Sequence, residues 1–410
     1  MAHLGRGVGR RVAIVGAGYA GMAAAVSLAE RGVQVTVLES AAVPGGRARR
    51  VESQGHALDN GQHILIGAYR ALYELMRTVG VAVNAVLRLP LEVRYAGRFH
   101  LRRGAFGLAG ALLTARGMPL AERLGAARFV ARLRRTRLRL ATDMSVSELL
   151  AQEGQGARIA HYLSHPLCVS ALNTPPQLAS ANVFLAVLRD TLGAGAAASD
   201  LVLPRVDLSR LFPEPAADFV RAHGGELRLQ SPVKDLGALR QSYDQVIIAV
   251  APHQLKTLIA DAPEYSYQPI YTCYLQYADS VRLPFPMLGL ADGLVQWVFD
   301  RGTLLGEQGR LACVISAQGD QQQMALEEIA ERCHRELATA LGGLGRPQWW
   351  RVIAEKRATI TCSPGPKPLP SAIPGVQFAG DYTDPDYPPT LEAAVRSGVR
   401  AASSILEPAR

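Results

Sequence analysis

The sequence predicts an α/β fold, a parallel sheet interrupted by a second, discontinuous α+β unit. Three observations carry this. An apolar run at 12–15 passes through Gly16-x-Gly18-x-x-Gly21 into an alanine-rich helix, and a second apolar run at 33–38 ends in Glu39. Near the other terminus, 374–381 reads as a strand closing on Gly380-Asp381, followed by a proline-rich turn and a helix from Leu391. At 410 residues the chain is too long for one compact core and suits two domains.

Each part of the first stretch has a physical reason. Gly16 makes the sharp turn, Gly18 lets backbone approach a pyrophosphate, and Gly21 lets the helix lie against the sheet. Ala17 and Ala20 complete the loop as candidate contacts. The helix N-terminus offers free N–H groups and partial positive charge to a diphosphate. Glu39 can accept hydrogen bonds from both hydroxyls of an adenosine ribose. This is a Rossmann-like element. A second glycine–arginine turn, Gly45-Gly46-Arg47, follows, for which a plain NAD domain has no standard use. Next, Asp59-Asn60-Gly61-Gln62-His63 lies between apolar runs and reads as the lining of a site. Residues 68–79 read as a helix.

The segment 87–140 is rich in arginine, with Arg94, Arg98, Arg102, Arg103, Arg116, Arg123, Arg128, Arg132, Arg134, Arg135, Arg137 and Arg139 alternating with Phe99, Phe106, Leu108, Leu112, Leu113, Leu124, Phe129 and Leu133. Gly117-Met118-Pro119 separates two predicted helices. A basic helix with an apolar face predicts docking on an anionic membrane surface. Aromatics are too sparse for stacking on single-stranded nucleic acid, and no reader motif is present. Beyond it, 224–229, 233–236 and 243–250 are read as strands. Runs at 270–277 and 311–316 suggest a second sheet, and 323–341 a helix. The domain plan is therefore a nucleotide-binding unit from 1–86, 220–260 and 346–410, with a helical and substrate unit from 87–219 and 261–345.

The Gly380-Asp381 turn and the helix from Leu391 separate FAD from NAD. The aspartate suits the ribityl chain or diphosphate, and the helix dipole suits the flavin pyrimidine edge, where the reduced anion carries its charge. The excess of basic residues, +9 overall, points to an anionic partner. Five scattered cysteines, an odd number never at CxxC spacing, fit free thiols in a reducing compartment and exclude a metal site built on them. Residues 1–10 read as a loose arm, and no run of about 20 apolar residues is present to span a bilayer.

The glycine turns at both ends resemble those of the FAD-dependent amine oxidoreductase and phytoene desaturase superfamily. A closer resemblance, to the hydroxysqualene dehydroxylases, is carried by Leu58-Asp59-Asn60-Gly61-Gln62-His63-Ile64-Leu65-Ile66-Gly67-Ala68-Tyr69, Ala171-Leu172-Asn173-Thr174, Ala198-Ser199-Asp200-Leu201, Pro204-Arg205-Val206-Asp207-Leu208-Ser209 and Lys356-Arg357-Ala358-Thr359. It implies reduction of the allylic C30 alcohol hydroxysqualene to squalene by reduced FAD, with loss of water. It implies FAD contacts at Gly16, Ala17, Gly18, Ala20, Gly21, Glu39, Gly46, Arg47, Asn60, Gly61, Gln62, Val233, Gly380, Asp381 and Leu391. Departure of hydroxide calls for an acid, with His63 and Asp59 as candidates, and for stabilisation of an allylic cation by Trp297 or Tyr69. A carotenoid-type desaturase and an amine oxidase are the competing enzyme readings, and a flavin-bound scaffold the non-enzymatic one. No motif specifies the electron donor. The expected location is the cytoplasm, peripheral on the inner face of the cell membrane.

Overall fold

The computed structural model describes residues 9–95, 97–103, 107–135, 138–193, 195–290 and 292–407. The arm before Gly9, Phe106, Arg137 and the side chains of Leu108, Leu133 and Arg134 lie outside the described residues.

Five parallel strands form the nucleotide sheet, in the order Glu226–Arg228, Gln34–Leu38, Arg11–Val15, Gln245–Ile248, Val376–Phe378. Its members come from distant parts of the chain, and two inner ones, buried along Val12–Val15 and Val246–Ile248, read as apolar runs. The helix Tyr19–Ala29 is buried at ten of its eleven positions. It is sandwiched between this sheet and the C-terminal helix Leu391–Leu406. Small side chains permit that approach: a Cβ added at Gly398 would stand 2.1 Å from the Ala20 carbonyl oxygen. The close crossing fixes where the N-terminus of the last helix points.

A seven-stranded sheet lies beyond, in the order Trp349–Ile360, Tyr267–Gln276, Arg310–Ser316, Trp297–Asp300, Met287–Gly289, Glu92–Tyr95, Phe99–Arg102. Three expectations are corrected. Residues 233–236 are not a strand; Asp235 caps the helix Leu236–Ser242, its carboxylate accepting from the Ala238 N–H at 3.0 Å. Residues 346–360 do not belong to the nucleotide unit, because Trp349–Ile360 pairs along Tyr267–Gln276 in the second sheet. Residues 86–102 are not helical. They supply three strands, and Val93, Tyr95, Phe99 and Leu101 are buried at the alternating spacing of a strand. The frequency of arginine had masked that period. The helices predicted around Gly117 do form, as Gly107–Thr114 and Leu120–Arg135.

Candidate functional site

A single continuous cavity of about 1120 Å³ runs from the glycine turn, between the two sheets, into an apolar chamber. At its nucleotide end stand Gly16, Gly18, Ala20 and Glu39, faced by Ser231 to Lys234 and so by Val233. Gly16 has φ +106°, and its N–H donates to the Leu38 carbonyl at 2.8 Å, closing the turn. A Cβ at Gly21 would stand 1.9 Å from the Gly16 oxygen, so that glycine serves packing. Gly18 differs. Its φ of −72° suits any residue, and an added Cβ would come no closer than 3.8 Å to protein, at the Gly46 Cα. Its open side belongs to the cavity, which is the space a diphosphate against this turn needs. Glu39 is 8% exposed, and its oxygens accept from the Ala17 N–H at 2.7 Å and the Ala41 N–H at 2.8 Å. The carboxylate is thereby aimed before any ribose arrives. These residues fit a flavin dinucleotide.

The middle of the cavity joins chain termini. Arg47 donates to Asp381 at 2.7 Å and to the Ala358 carbonyl at 2.6 Å, tying the second glycine turn to Gly380-Asp381 and to the second sheet. Asn60 donates to the Arg47 carbonyl at 3.0 Å and to Glu355 at 3.2 Å. Gly46, Gly61, Gln62, His63, Gly380 and Leu391 also face the space. Thr390 caps the last helix, its hydroxyl accepting from the Ala393 N–H at 3.2 Å, so the free N–H groups and partial positive charge of that terminus are directed here. Of the residues expected at the cofactor, Ala17 and Gly21 do not line the cavity. Ala17 orients Glu39 and Gly21 admits the helix.

Both candidate acids are corrected. Asp59 does not line the cavity and is 3% exposed. One oxygen meets Arg301 at 2.9 Å and the other accepts from the Leu208 N–H at 2.9 Å. Burial raises its pKa, with Arg301 opposing, but the group has no path to a guest. It is a structural carboxylate. His63 does line the cavity, and its Nδ1 is sealed from solvent without a hydrogen-bond partner among the described residues. Burial foremost, helped by the charge of Arg47, lowers its pKa to about 4. At neutral pH it is an uncharged imidazole, not an imidazolium acid.

That depression has a stability consequence. The unfolded imidazole binds its proton near pH 6.5, the folded one only near 4, so native stability is complete above the upper value and falls as pH drops through this window, by up to about 3 kcal/mol. Thermal melts of His63→Gln across this range are expected to show a shallower acid loss than the parent; parallel curves would contradict the assignment.

Sequence reasoning missed two participants. Arg301, 1% exposed, joins Asp59 to Glu307 and lies over the Tyr274 ring at 5.3 Å. The Tyr274 hydroxyl donates to the Asp59 carbonyl at 2.8 Å and accepts from Gln62 at 3.1 Å. Ser170, on the helix His165–Leu172, accepts from the Trp297 indole N–H at 2.8 Å, and both face the apolar chamber. No local motif marks either pair, since the partners are 242 and 127 residues apart.

The sequence profile of the flavin containing amine oxidoreductases matches residues 19–406. The chain belongs to this family. It is accordingly an oxidoreductase that uses a flavin. It is similar to the hydroxysqualene dehydroxylase of Rhodopseudomonas palustris, at 29% identity over 98% of this chain and 99% of that one. The hydroxysqualene dehydroxylase of Sinorhizobium fredii is 27% identical over 97% and 98%. Among solved structures, an oxidoreductase from Methanosarcina mazei matches with a TM-score of 0.74 at 14% identity, covering 96% of this chain and 100% of the other, a likeness of fold.

Proposed function

We propose that this flavoenzyme binds FAD and reduces hydroxysqualene to squalene, as a step of isoprenoid and hopanoid formation, at the cytoplasmic face of the cell membrane. The observation that carries the reading is one uninterrupted cavity whose first part is cut for a dinucleotide and whose second part is walled by apolar side chains, including Leu112, Phe129, Phe184, Trp297 and Phe299. Near full-length similarity to two hydroxysqualene dehydroxylases supports the substrate. Five buried free cysteines agree with a reducing compartment.

When bound and reduced, FAD supplies the hydride that replaces the allylic hydroxyl, which leaves as water after taking up a proton. The chain's own residues prepare this. The turn at Gly16 and Gly18 and the helix behind it would hold the diphosphate, Glu39 would hold the ribose, and Val233 would face the adenine. Arg47, Asp381, Asn60, Gln62 and the helix start at Leu391 would hold the other end. Trp297 engages the Ser170 oxygen as acceptor, so the Ser170 proton remains available to hydrogen-bond the oxygen of a departing hydroxyl. Aromatic faces at Trp297 and Tyr69 favour positive charge on the allyl group. The apolar walls exclude water that would compete for the cation.

Photoreduced protein incubated anaerobically with hydroxysqualene is expected to yield squalene, identified by gas chromatography. Unchanged hydroxysqualene would overturn the substrate assignment. Ser170→Ala is expected to lower turnover about 10- to 100-fold with FAD content intact; an unaltered rate would remove Ser170 from the account.

A further inference from the structure

The helical pair Gly107–Thr114 and Leu120–Arg135 has two faces with different chemistry. The inward face supplies Leu112, Ala126, Phe129 and Val130 to the apolar chamber. The outward face of the longer helix carries Leu120, Leu124, Arg128, Arg132 and Arg135, at successive turns and all exposed. Leu120 is 64% exposed and Leu124 39%, and Leu113 on the shorter helix is 41% exposed. The stripe is apolar where the helix begins and basic where it ends.

Other arginines of this region are committed elsewhere. Arg88 and Arg103 pair with Asp200, Arg94 with Glu92, and Arg98 with Asp292. Arg123 donates to the Met118 and Leu113 carbonyls, holding the turn between the helices. Arg132 meets Glu153 at 3.1 Å. Fewer of these arginines are available than the composition suggested; Arg128 and Arg135 are exposed on the element that walls the apolar chamber, with Arg116 and Arg139 exposed between and after the two helices.

We propose that this outward face docks on an anionic bilayer, with the leucines entering the acyl boundary and Arg128 and Arg135 at the headgroups, so that the helical pair is the gate between membrane and chamber. The charge of the stripe selects an acidic surface, and an apolar guest dissolved in a bilayer needs an entrance that opens there. This rests on the reading of an isoprenoid guest, but its test is independent of catalysis.

Holoprotein is sedimented with vesicles of phosphatidylcholine alone and of phosphatidylcholine mixed with phosphatidylglycerol. Binding is expected only to the acidic vesicles, and to weaken with added salt. Arg128→Glu with Arg135→Glu, and separately Leu120→Ser with Leu124→Ser, are each expected to weaken it by about 10-fold or more. All four sites are exposed, so melting temperature and turnover of detergent-dispersed hydroxysqualene should match the parent. Binding indifferent to lipid charge, or unchanged in both variants, overturns the proposal. So does a dimer that depends on Leu120 and Leu124 without vesicle binding, which would make the face a protein contact. Vesicle binding as expected alongside inert hydroxysqualene would retain the docking face and remove the substrate.

Discussion

Alanine at position 18 is expected to leave the apoprotein's melting temperature unchanged while weakening FAD binding by about 100-fold, close to 2.7 kcal/mol. The added methyl meets nothing of the protein inside 3.8 Å, and the backbone at φ −72° accepts it without strain. It projects instead into the space beside the helix N-terminus, where a diphosphate must touch bare backbone. Gly21→Ala is the contrasting control, because its methyl would overlap the Gly16 carbonyl at 1.9 Å and force the helix from the sheet. That variant should lose both stability and flavin. Equilibrium titration by flavin fluorescence separates the two. Full FAD affinity in Gly18→Ala would mean that the diphosphate lies elsewhere.

The largest stability effect is expected at Arg301. Its guanidinium is 1% exposed and serves Asp59 and Glu307 at once. Arg301→Met keeps most of the side-chain volume but strands the Asp59 carboxylate, buried and uncompensated, which costs about 3–5 kcal/mol. The consequence reaches the cavity, since Asp59, Tyr274 and Gln62 form one hydrogen-bonded chain into its wall. The variant's bound flavin should therefore show a shifted absorption band as well as a lower melting temperature. Removing the stranded charge with Asp59→Asn in the same chain should recover part of the loss. Additive losses in the double variant would refute the coupling.

What could be read from residue order alone follows the range of the interactions. The glycine turn, Glu39, the second glycine–arginine turn and the Gly380-Asp381 helix start are local patterns, and their backbone geometry is dictated within a few residues. The structure brings them to one cavity. The roles assigned to His63 and Asp59 were not legible. Residue type made both plausible acids, yet burial deprives one of its proton and Arg301 immobilises the other. Arg301 and Ser170 acquire meaning only when strands and helices far apart in sequence meet. The strands at 86–102 were hidden for another reason: arginines at the solvent-facing positions of a strand imitate a basic helix when counted rather than phased.

The central claim is that reduced flavin and an allylic C30 alcohol meet in one chamber of this protein. Anaerobic mixing of photoreduced holoprotein with hydroxysqualene, followed by absorbance, tests it in a single trace. Return of the oxidised flavin spectrum is expected, with one squalene formed per flavin reoxidised and no polyene. Reduced flavin that persists in the presence of hydroxysqualene, in a protein that binds FAD fully, would contradict it.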